Sequence, residues 1–283
     1  MAILRELVEV LARTTGVPES TVFAFGRFAR EAGLISQKGR GRAAAEMSTT
    51  DAANLFIALG ATAITREAPL AARKFGSLQG FTYTSPGDSL REYCLAWLKP
   101  VVLKRVADGR SDGEKIQKIH LKDFGSFVQF LLEDSVSGRL TKFLRGIPVV
   151  DERSRDVVRI SRERSGRSLV SLLKEGATTK PEDQVVIGTE HDVWFTFVFS
   201  RVDPVVSFNV KTFHVREEEL FTVDFFDPRY DYPDPYERDL RVEATLTQTS
   251  IQALGSTLRG LKIPSKLKKL EEIETFLFSE DAV

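Results

Sequence analysis

The chain contains few of the residues that most often bind metals or act as nucleophiles. Its 283 residues include one cysteine and three histidines. His120, His191 and His214 are scattered along the chain, so no zinc-ligand spacing is present. Cys94 lies among apolar residues, a context typical of a buried structural thiol. Glycine loops of the GxxxxGKS/T and GxGxxG kinds are also missing. We therefore expect no metal, no cofactor and no enzymatic activity.

Long apolar runs are absent too. No stretch of about 18 consecutive apolar residues, the length needed for a membrane-spanning helix, occurs in the sequence. The first residues lack the cationic start, apolar middle and small-residue cleavage site of a secretory signal peptide. Hydrophobic residues make up 42% of the chain and charged residues 28%, which is ordinary for a globular protein. We expect a cytoplasmic protein that does not associate with membranes.

The chain as a whole has no net charge, but its charges are segregated along the sequence. Residues 1–75 carry 10 Lys or Arg against 7 Asp or Glu, residues 99–180 carry 18 against 11, and residues 181–283 carry 11 against 20. The net charges of these segments are therefore +3, +7 and −9. A neutral protein with separated basic and acidic surfaces can bind a polyanion on one side.

The clearest functional pattern lies between Val17 and Arg42. Pro18 suits the first position of a helix, and Gly33 suits the left-handed residue that ends one. At 100° per residue, the helix between them has a core side and an opposite side that offers an arginine, a hydroxyl and apolar groups. A DNA major groove is read by such groups, although a solvated surface helix has the same pattern. The core side would hold Thr21, Val22, Phe25, Phe28, Ala29 and Ala32, and the opposite side Ser20, Phe23, Ala24, Arg27, Arg30 and Glu31.

The neighbouring segments favour a DNA-binding unit. An amphipathic helix is predicted over residues 3–14, and residues 15–17 turn the chain into the second helix, which is a helix-turn-helix layout. After the second helix, residues 38–42 alternate lysine or arginine with glycine, so that the backbone can approach phosphates closely. Ser48 to Asp51 form a capping-box pattern ahead of a third helix.

These residues resemble a known family. The stretch TTGVPESTVFAFGRFAREAGLI, with KGRGR behind it, resembles the winged helix-turn-helix domains of bacterial transcription regulators, in which S-T-V-x-x-x-x-R-x-x-R-E-A-G-L-I/L leads into a basic wing. The continuation GRAAAEMSTTDAANLFIAL is similar to uncharacterised regulators of phage and prophage regions. The resemblance covers the first quarter of the chain. Family wings usually lie between two strands, and Ala43 to Ala45 would make a poor strand. The resemblance implies that Ser20, Thr21, Ala24 and Arg27 face the groove and that Lys38, Arg40 and Arg42 follow the phosphate backbone.

The rest of the chain divides by its periodicity. Residues 63–147 show a helical pattern, whereas several runs after residue 148 alternate apolar and polar residues as strands do. We predict an α+β protein with a winged helix-turn-helix domain (1–62), a helical region (63–147) and an α+β domain (148–283) built mainly from an antiparallel sheet with helices. The last domain would serve dimerisation or sensing. Six arginines between Arg153 and Arg167 either add phosphate contacts or form a solvated hairpin.

The function that these patterns predict is sequence-specific transcriptional regulation by a homodimer on double-stranded DNA. Ser20, Thr21, Phe23, Ala24 and Arg27 would read bases, and Lys38, Arg40 and Arg42 would hold phosphate. One alternative is a metal-dependent nuclease whose sheet carries the magnesium ligands. The other is a protein-interaction module that uses the same helix. The nuclease would use Asp203, Glu218, Glu219 and Asp224, with Lys211 beside them.

Overall fold

The computed structural model describes residues 2–37, 45–84, 123–145, 148–150, 187–189, 193–214, 216–229, 242–264, 267 and 269–277. Within these ranges the protein combines helices with antiparallel strands, which confirms the α+β class. Residues 85–122 of the predicted helical region and the arginine-rich segment 153–167 lie outside the described residues. None of the described helices has the length and apolar character required to cross a membrane.

The N-terminal part consists of helices. Ser48 and Asp51 form the expected capping box, because the Ser48 hydroxyl accepts from the Asp51 backbone N–H and the Asp51 carboxylate accepts from the Ser48 N–H. Pro18 is the residue before the second helix rather than its first residue, so the predicted start was one position early. The helices are α1 (Leu4–Thr15), α2 (Glu19–Glu31), α3 (Thr49–Ala61), a short 3-10 helix (Thr65–Glu67) and α4 (Ala68–Gly76).

A helical pair lies in the middle of the sequence, as predicted. The Asp123 carboxylate caps the first of the two helices by accepting from the backbone N–H and the hydroxyl of Ser126, at 2.8 and 2.7 Å. Gly138, with φ of +76°, lies at the break between the helices, where residues 135–138 predict an interruption. The two helices are α5 (Phe124–Val136) and α6 (Arg139–Arg145).

The strands form a five-stranded antiparallel sheet and a separate two-stranded pair. The larger sheet has the order β1-β6-β5-β4-β7. Two of these strands were not predicted: residues 80–84 fall within the break predicted from Gly80 to Gly87, and residues 148–150 form a strand of only three residues. The strands are β1 (Gly80–Thr84), β2 (Pro148–Val150), β3 (Ile187–Thr189), β4 (Val193–Ser200), β5 (Val205–His214), β6 (Arg216–Phe226) and β7 (Glu243–Thr247).

One face of the large sheet is lined with phenylalanines. Phe195, Phe197 and Phe199 of β4 are fully buried, while the residues between them are half-buried, which confirms the predicted alternation. Phe197 pairs with Leu246 on one side and with Phe208 on the other. Helices α3 and α5 cover this face, so rings from helix and sheet meet edge to face. The buried apolar cluster includes residues from all three predicted domains.

The helix that follows β7 packs against several of the other described elements. Helix α7 (Gln248–Leu258) is buried along nearly its whole length and contacts α1, α3, α5, β4 and α8 (Leu270–Leu277). Several of its polar side chains make hydrogen bonds to other elements. The Gln248 side chain accepts from the Phe195 N–H at 2.9 Å, and the Ser250 hydroxyl donates to Thr14 Oγ1 at 3.1 Å. This helix therefore links the sheet to the N-terminal helices.

Arg201, directly after β4, joins the sheet to the end of α3. Its Nε donates to the Gly60 carbonyl at 3.1 Å and one terminal nitrogen donates to the Leu59 carbonyl at 3.4 Å. Both carbonyls lie in the last turn of α3, which has no later N–H to bind them. Burial lowers the pKa of the Arg201 guanidinium from its ordinary value.

We expect Arg201→Met to lower the free energy of unfolding by about 1–2 kcal/mol, because two carbonyls at a helix end lose a charged donor. Urea denaturation followed by circular dichroism would measure the effect. Arg5→Met, at an exposed position of α1, is the matched control and should change stability little. Superimposable unfolding curves for the Arg201 variant and the unchanged protein would contradict this role.

Candidate nucleic-acid interface

Helix α2 packs by one side against the core. Val22, Phe25 and Ala29 are buried, as the helical periodicity predicts. Gly26 is also buried, and a Cβ added to it would lie 3.2 Å from a methyl carbon of Leu4. The missing side chain therefore allows α1 and α2 to approach closely. Thr21, Phe28 and Ala32 lie at the margin of the buried side and are half-exposed.

The opposite side of α2 is open to solvent. Ser20 and Arg27 are exposed, Phe23 is 47% exposed, and Thr21 and Ala24 are half-buried. Phe23 is one of several exposed large hydrophobic residues among those described, so its exposure alone does not identify a contact surface. All five base-reading residues predicted from the sequence lie on α2, and the three most exposed of them share its outward side.

The two ends of α2 are fixed by backbone geometry. Gly16, with φ of +71°, ends α1 and turns the chain toward α2. At the other end Gly33 has φ of +74°, as predicted. The Leu34 N–H donates to the Ala29 carbonyl at 2.9 Å, and the Gly33 N–H donates to the Arg30 carbonyl at 3.0 Å. These two bonds form a Schellman cap, so α2 stops at a defined residue.

The segments on either side of the basic segment (residues 38–42) are anchored to the fold. Lys38, Arg40 and Arg42 themselves lie outside the described residues. Ahead of them, the Ser36 N–H donates to Asp51 Oδ1 and Asn54 Nδ2 donates to the Leu34 carbonyl, each at 2.8 Å. Behind them, Met47 is buried and its N–H donates to the Ala2 carbonyl at 2.9 Å. Neither of these flanking segments is a strand.

Arg27 has a defined environment on the open side of α2. Its Nε lies 3.6 Å from Glu31 Oε1, one turn along the helix, with the two side chains 50% and 60% exposed. Its guanidinium carbon lies 4.7 Å from the centre of the Phe28 ring. The side chain is thus directed toward the C-terminal end of α2 while its charge remains accessible to solvent.

Two arginines hold α1 and the end of α2 through hydrogen bonds to residues far away in the sequence. Arg13 of α1 donates to the carbonyls of Ile263, Pro264 and Leu267, at 3.1, 2.7 and 2.6 Å. Arg73 of α4 donates to the Ala32 carbonyl at 2.9 Å, just after α2. Local periodicity contains no signal for either arginine. The Arg27–Glu31 pair, by contrast, follows from the helical i,i+4 spacing.

The acids of the nuclease hypothesis are spread along the sheet. In the β5–β6 register, Glu219 is opposite Lys211, whereas Asp224 is opposite Ser207. Glu219 and Asp224 are five positions apart along β6, or about 16 Å at 3.3 Å per residue. In the described part of the chain, no three His, Cys, Asp or Glu residues are grouped so as to hold a metal ion. The side chains of Lys211, Glu218 and Glu219 lie outside the described ones, so the nuclease hypothesis stays a prediction.

The carboxylate of Asp227, directly after β6, binds the side chain of Arg229. Arg229 donates from its Nε and one terminal nitrogen to the two Asp227 oxygens, at 3.0 Å each. This side-chain hydrogen bonding, together with a backbone bond from Arg229, lowers the pKa of the Asp227 carboxyl. The pair is a local loop contact on the surface.

Comparisons of the chain with protein-family models, with curated proteins and with solved structures found no match. Any assignment of function therefore depends on the residues and geometry of α2 and its surroundings.

Proposed function

We propose that the protein is a sequence-specific, DNA-binding transcriptional regulator of the phage or prophage kind. The observation that carries this proposal is the open side of α2, where Ser20, Phe23 and Arg27 are exposed on a helix whose other side is packed into the core. A helix held rigidly by one side and open on the other can enter a major groove without rearrangement.

The surroundings of α2 support the same proposal. A helix (α1) and a glycine turn precede it, and a segment with three cations follows it between anchored ends. Base contacts from α2 would provide the sequence specificity. Phosphate contacts from Lys38, Arg40 and Arg42 would provide salt-dependent affinity for any DNA sequence. One such unit has a small contact area, so a homodimer on a two-fold operator is part of the proposal.

The first test is selection of bound sequences from a random duplex library at two salt concentrations. The protein should enrich a motif with two related half-sites, and Arg27→Ala should abolish the preference at one base pair per half-site, a loss of about 10-fold or more. Arg229→Ala, at an exposed arginine near the end of β6, is the matched control and should leave the motif unchanged. An unchanged motif with Arg27→Ala would contradict the proposal.

The second test concerns the basic segment, residues 38–42. Replacing Arg40 and Arg42 together with alanine should weaken binding to all duplexes alike and make the dependence of log affinity on log salt shallower by about two units. The enriched motif should stay the same, because phosphate contacts carry no direct sequence information. An unchanged salt dependence would show that the basic segment does not contact the phosphates of DNA.

Phe23 supports a second candidate, a protein-interaction module. A side chain that is 47% exposed at the middle of the open side is a typical anchor for a protein partner. In that case binding would ignore salt and would be lost with Phe23→Ala but kept with Arg27→Ala. The two candidates are thus separated by one pair of variants.

A further inference from the structure

We propose that Phe28 and Glu31 are positioning residues that hold the Arg27 guanidinium ready to bind guanine in the major groove. This inference rests on the proposed DNA-binding function and adds the base that α2 reads. Neither Phe28 nor Glu31 would touch the base in this arrangement. Their contribution is the direction and restricted freedom of the arginine side chain.

The geometry of the three side chains carries the proposal. Phe28 supports the guanidinium from one side at 4.7 Å from the ring centre, and Glu31 approaches the Nε edge at 3.6 Å. Both neighbours belong to the same helix as Arg27, so their positions do not depend on a distant part of the fold. The Nε edge faces protein, which leaves the pair of terminal nitrogens as the free edge of the fork.

The chemistry of the free edge favours guanine. Guanine presents two acceptors, O6 and N7, to the major groove, and an arginine fork binds both at once. An unrestrained arginine loses substantial side-chain entropy when it is fixed in this way. The ring and the carboxylate restrict Arg27 before DNA arrives, so that less entropy remains to be lost on binding.

Glu31 has a second effect on the same surface. A carboxylate that is 60% exposed beside Arg27 repels phosphate oxygens, so it disfavours placement of the arginine on the DNA backbone. The ion pair would thereby direct Arg27 to bases rather than to phosphates. Removing the charge of Glu31 should raise affinity for unrelated DNA and lower the discrimination between base pairs.

The chain offers a matched control for Glu31. Glu19 is the first residue of α2 and is also an exposed acid, two turns away from Arg27. Glu19→Gln and Glu31→Gln remove the same charge from the same helix by the same change. Only Glu31 is within ion-pair distance of Arg27. A difference between the two variants therefore isolates the contact with the arginine from the general electrostatic effect.

The experiment measures affinity for the selected operator and for duplexes in which the guanine identified by Arg27→Ala is replaced. Glu31→Gln and Phe28→Leu should each reduce the preference for guanine about fivefold, whereas Glu19→Gln should preserve it. In the Arg27→Ala background, Glu31→Gln and Phe28→Leu should not reduce the preference for guanine any further. Thermal unfolding would show that each variant is folded. If Phe28→Leu disturbs the packing of α2, Glu31→Gln still tests the proposal, because Glu31 is on the surface.

The outcomes separate the two proposals. If the unchanged protein enriches a guanine-containing motif but Glu31→Gln and Glu19→Gln discriminate equally well, the positioning role is wrong and the regulator proposal stands. A loss of preference from Glu31→Gln that persists in the Arg27→Ala background would also overturn the positioning role. If the unchanged protein enriches no motif, both proposals fail.

Discussion

Phe197→Ala is expected to lower the free energy of unfolding by about 3–5 kcal/mol, which is a large part of the total stability of an ordinary domain. The Phe197 side chain is fully buried in β4, the strand between β5 and β7. Its ring packs at 5.0 Å from Phe208 in the sheet and at 5.3 Å from Phe56 in α3. Truncation would leave a cavity where sheet and helices meet, and the surrounding rings cannot close it without moving whole elements.

Urea unfolding, followed by both circular dichroism and fluorescence, would measure this loss. Phe23→Ala is the matched control, because it makes the same chemical change on the open side of α2, where the side chain is 47% exposed. The control should cost well under half as much stability. Similar losses for the two variants would mean that the phenylalanine face of the sheet is not the main source of cohesion.

The sequence predicted burial correctly where the periodicity of a helix or strand decides which side chains face the core. The alternation of Phe195, Phe197 and Phe199 predicts a half-buried strand, and the structure buries all three. The same holds for α2, where a period of 3.6 residues separates Val22 and Phe25 from Ser20 and Arg27. In both cases burial of one face stabilises the element. The apolar residues of that face therefore recur at the period of the strand or helix, and the sequence shows this period directly.

The short strand β1 was missed because its cause is remote. Residues 80–84 include the strand-favouring Phe81 and Tyr83, but the run is short and leads directly into Ser85-Pro86-Gly87, which favours a turn. They pair with β6, where Gly80 is opposite Phe226 and Thr84 is opposite Thr222. More than 130 residues separate the two strands in the sequence. Pairing of this kind follows from tertiary packing and is invisible to local propensity.

The candidate interface shows the same division. Its open residues on α2 were predicted, since they depend only on helical phase. What holds α2 and α1 in place was not predicted, because Arg13 binds carbonyls about 250 residues away and Arg73 binds the chain just after α2. The burial of nearly all of α7 was also unexpected for a helix with Gln248, Thr249 and Ser250 in its first turn. These three side chains bind partners that only the folded chain brings near, whereas the buried Gln252 amide makes no side-chain hydrogen bond within the described part of the chain.

Gly255→Ala is expected to lower the free energy of unfolding by about 2–3 kcal/mol, although alanine is the better helix former. Helices α7 and α5 touch at this point. A Cβ at Gly255 would overlap the Cβ and the hydroxyl oxygen of Ser135 and would lie 3.1 Å from the Ser135 carbonyl carbon. The Ser135 hydroxyl also donates to the Gln252 carbonyl at 3.4 Å, so it has little freedom to move away. The helices would have to separate, and α7 would shift relative to α1.

Two sets of variants make this prediction specific. Gly76→Ala, at the end of α4, is the matched control, because its added Cβ would meet only a methyl carbon of Ile57 at 3.9 Å and should be tolerated. In the Gly255→Ala background, Ser135→Gly should restore part of the lost stability, whereas Ser135→Ala should not, since the clash involves Cβ itself. Thermal unfolding of the five proteins would decide the matter. Equal behaviour of the two Ser135 changes would show that α5 and α7 are not in backbone-close contact at Gly255. If the contact is as close as the structure has it, the displaced α7 should also loosen the buried Ser250–Thr14 bond and so weaken the hold on α1.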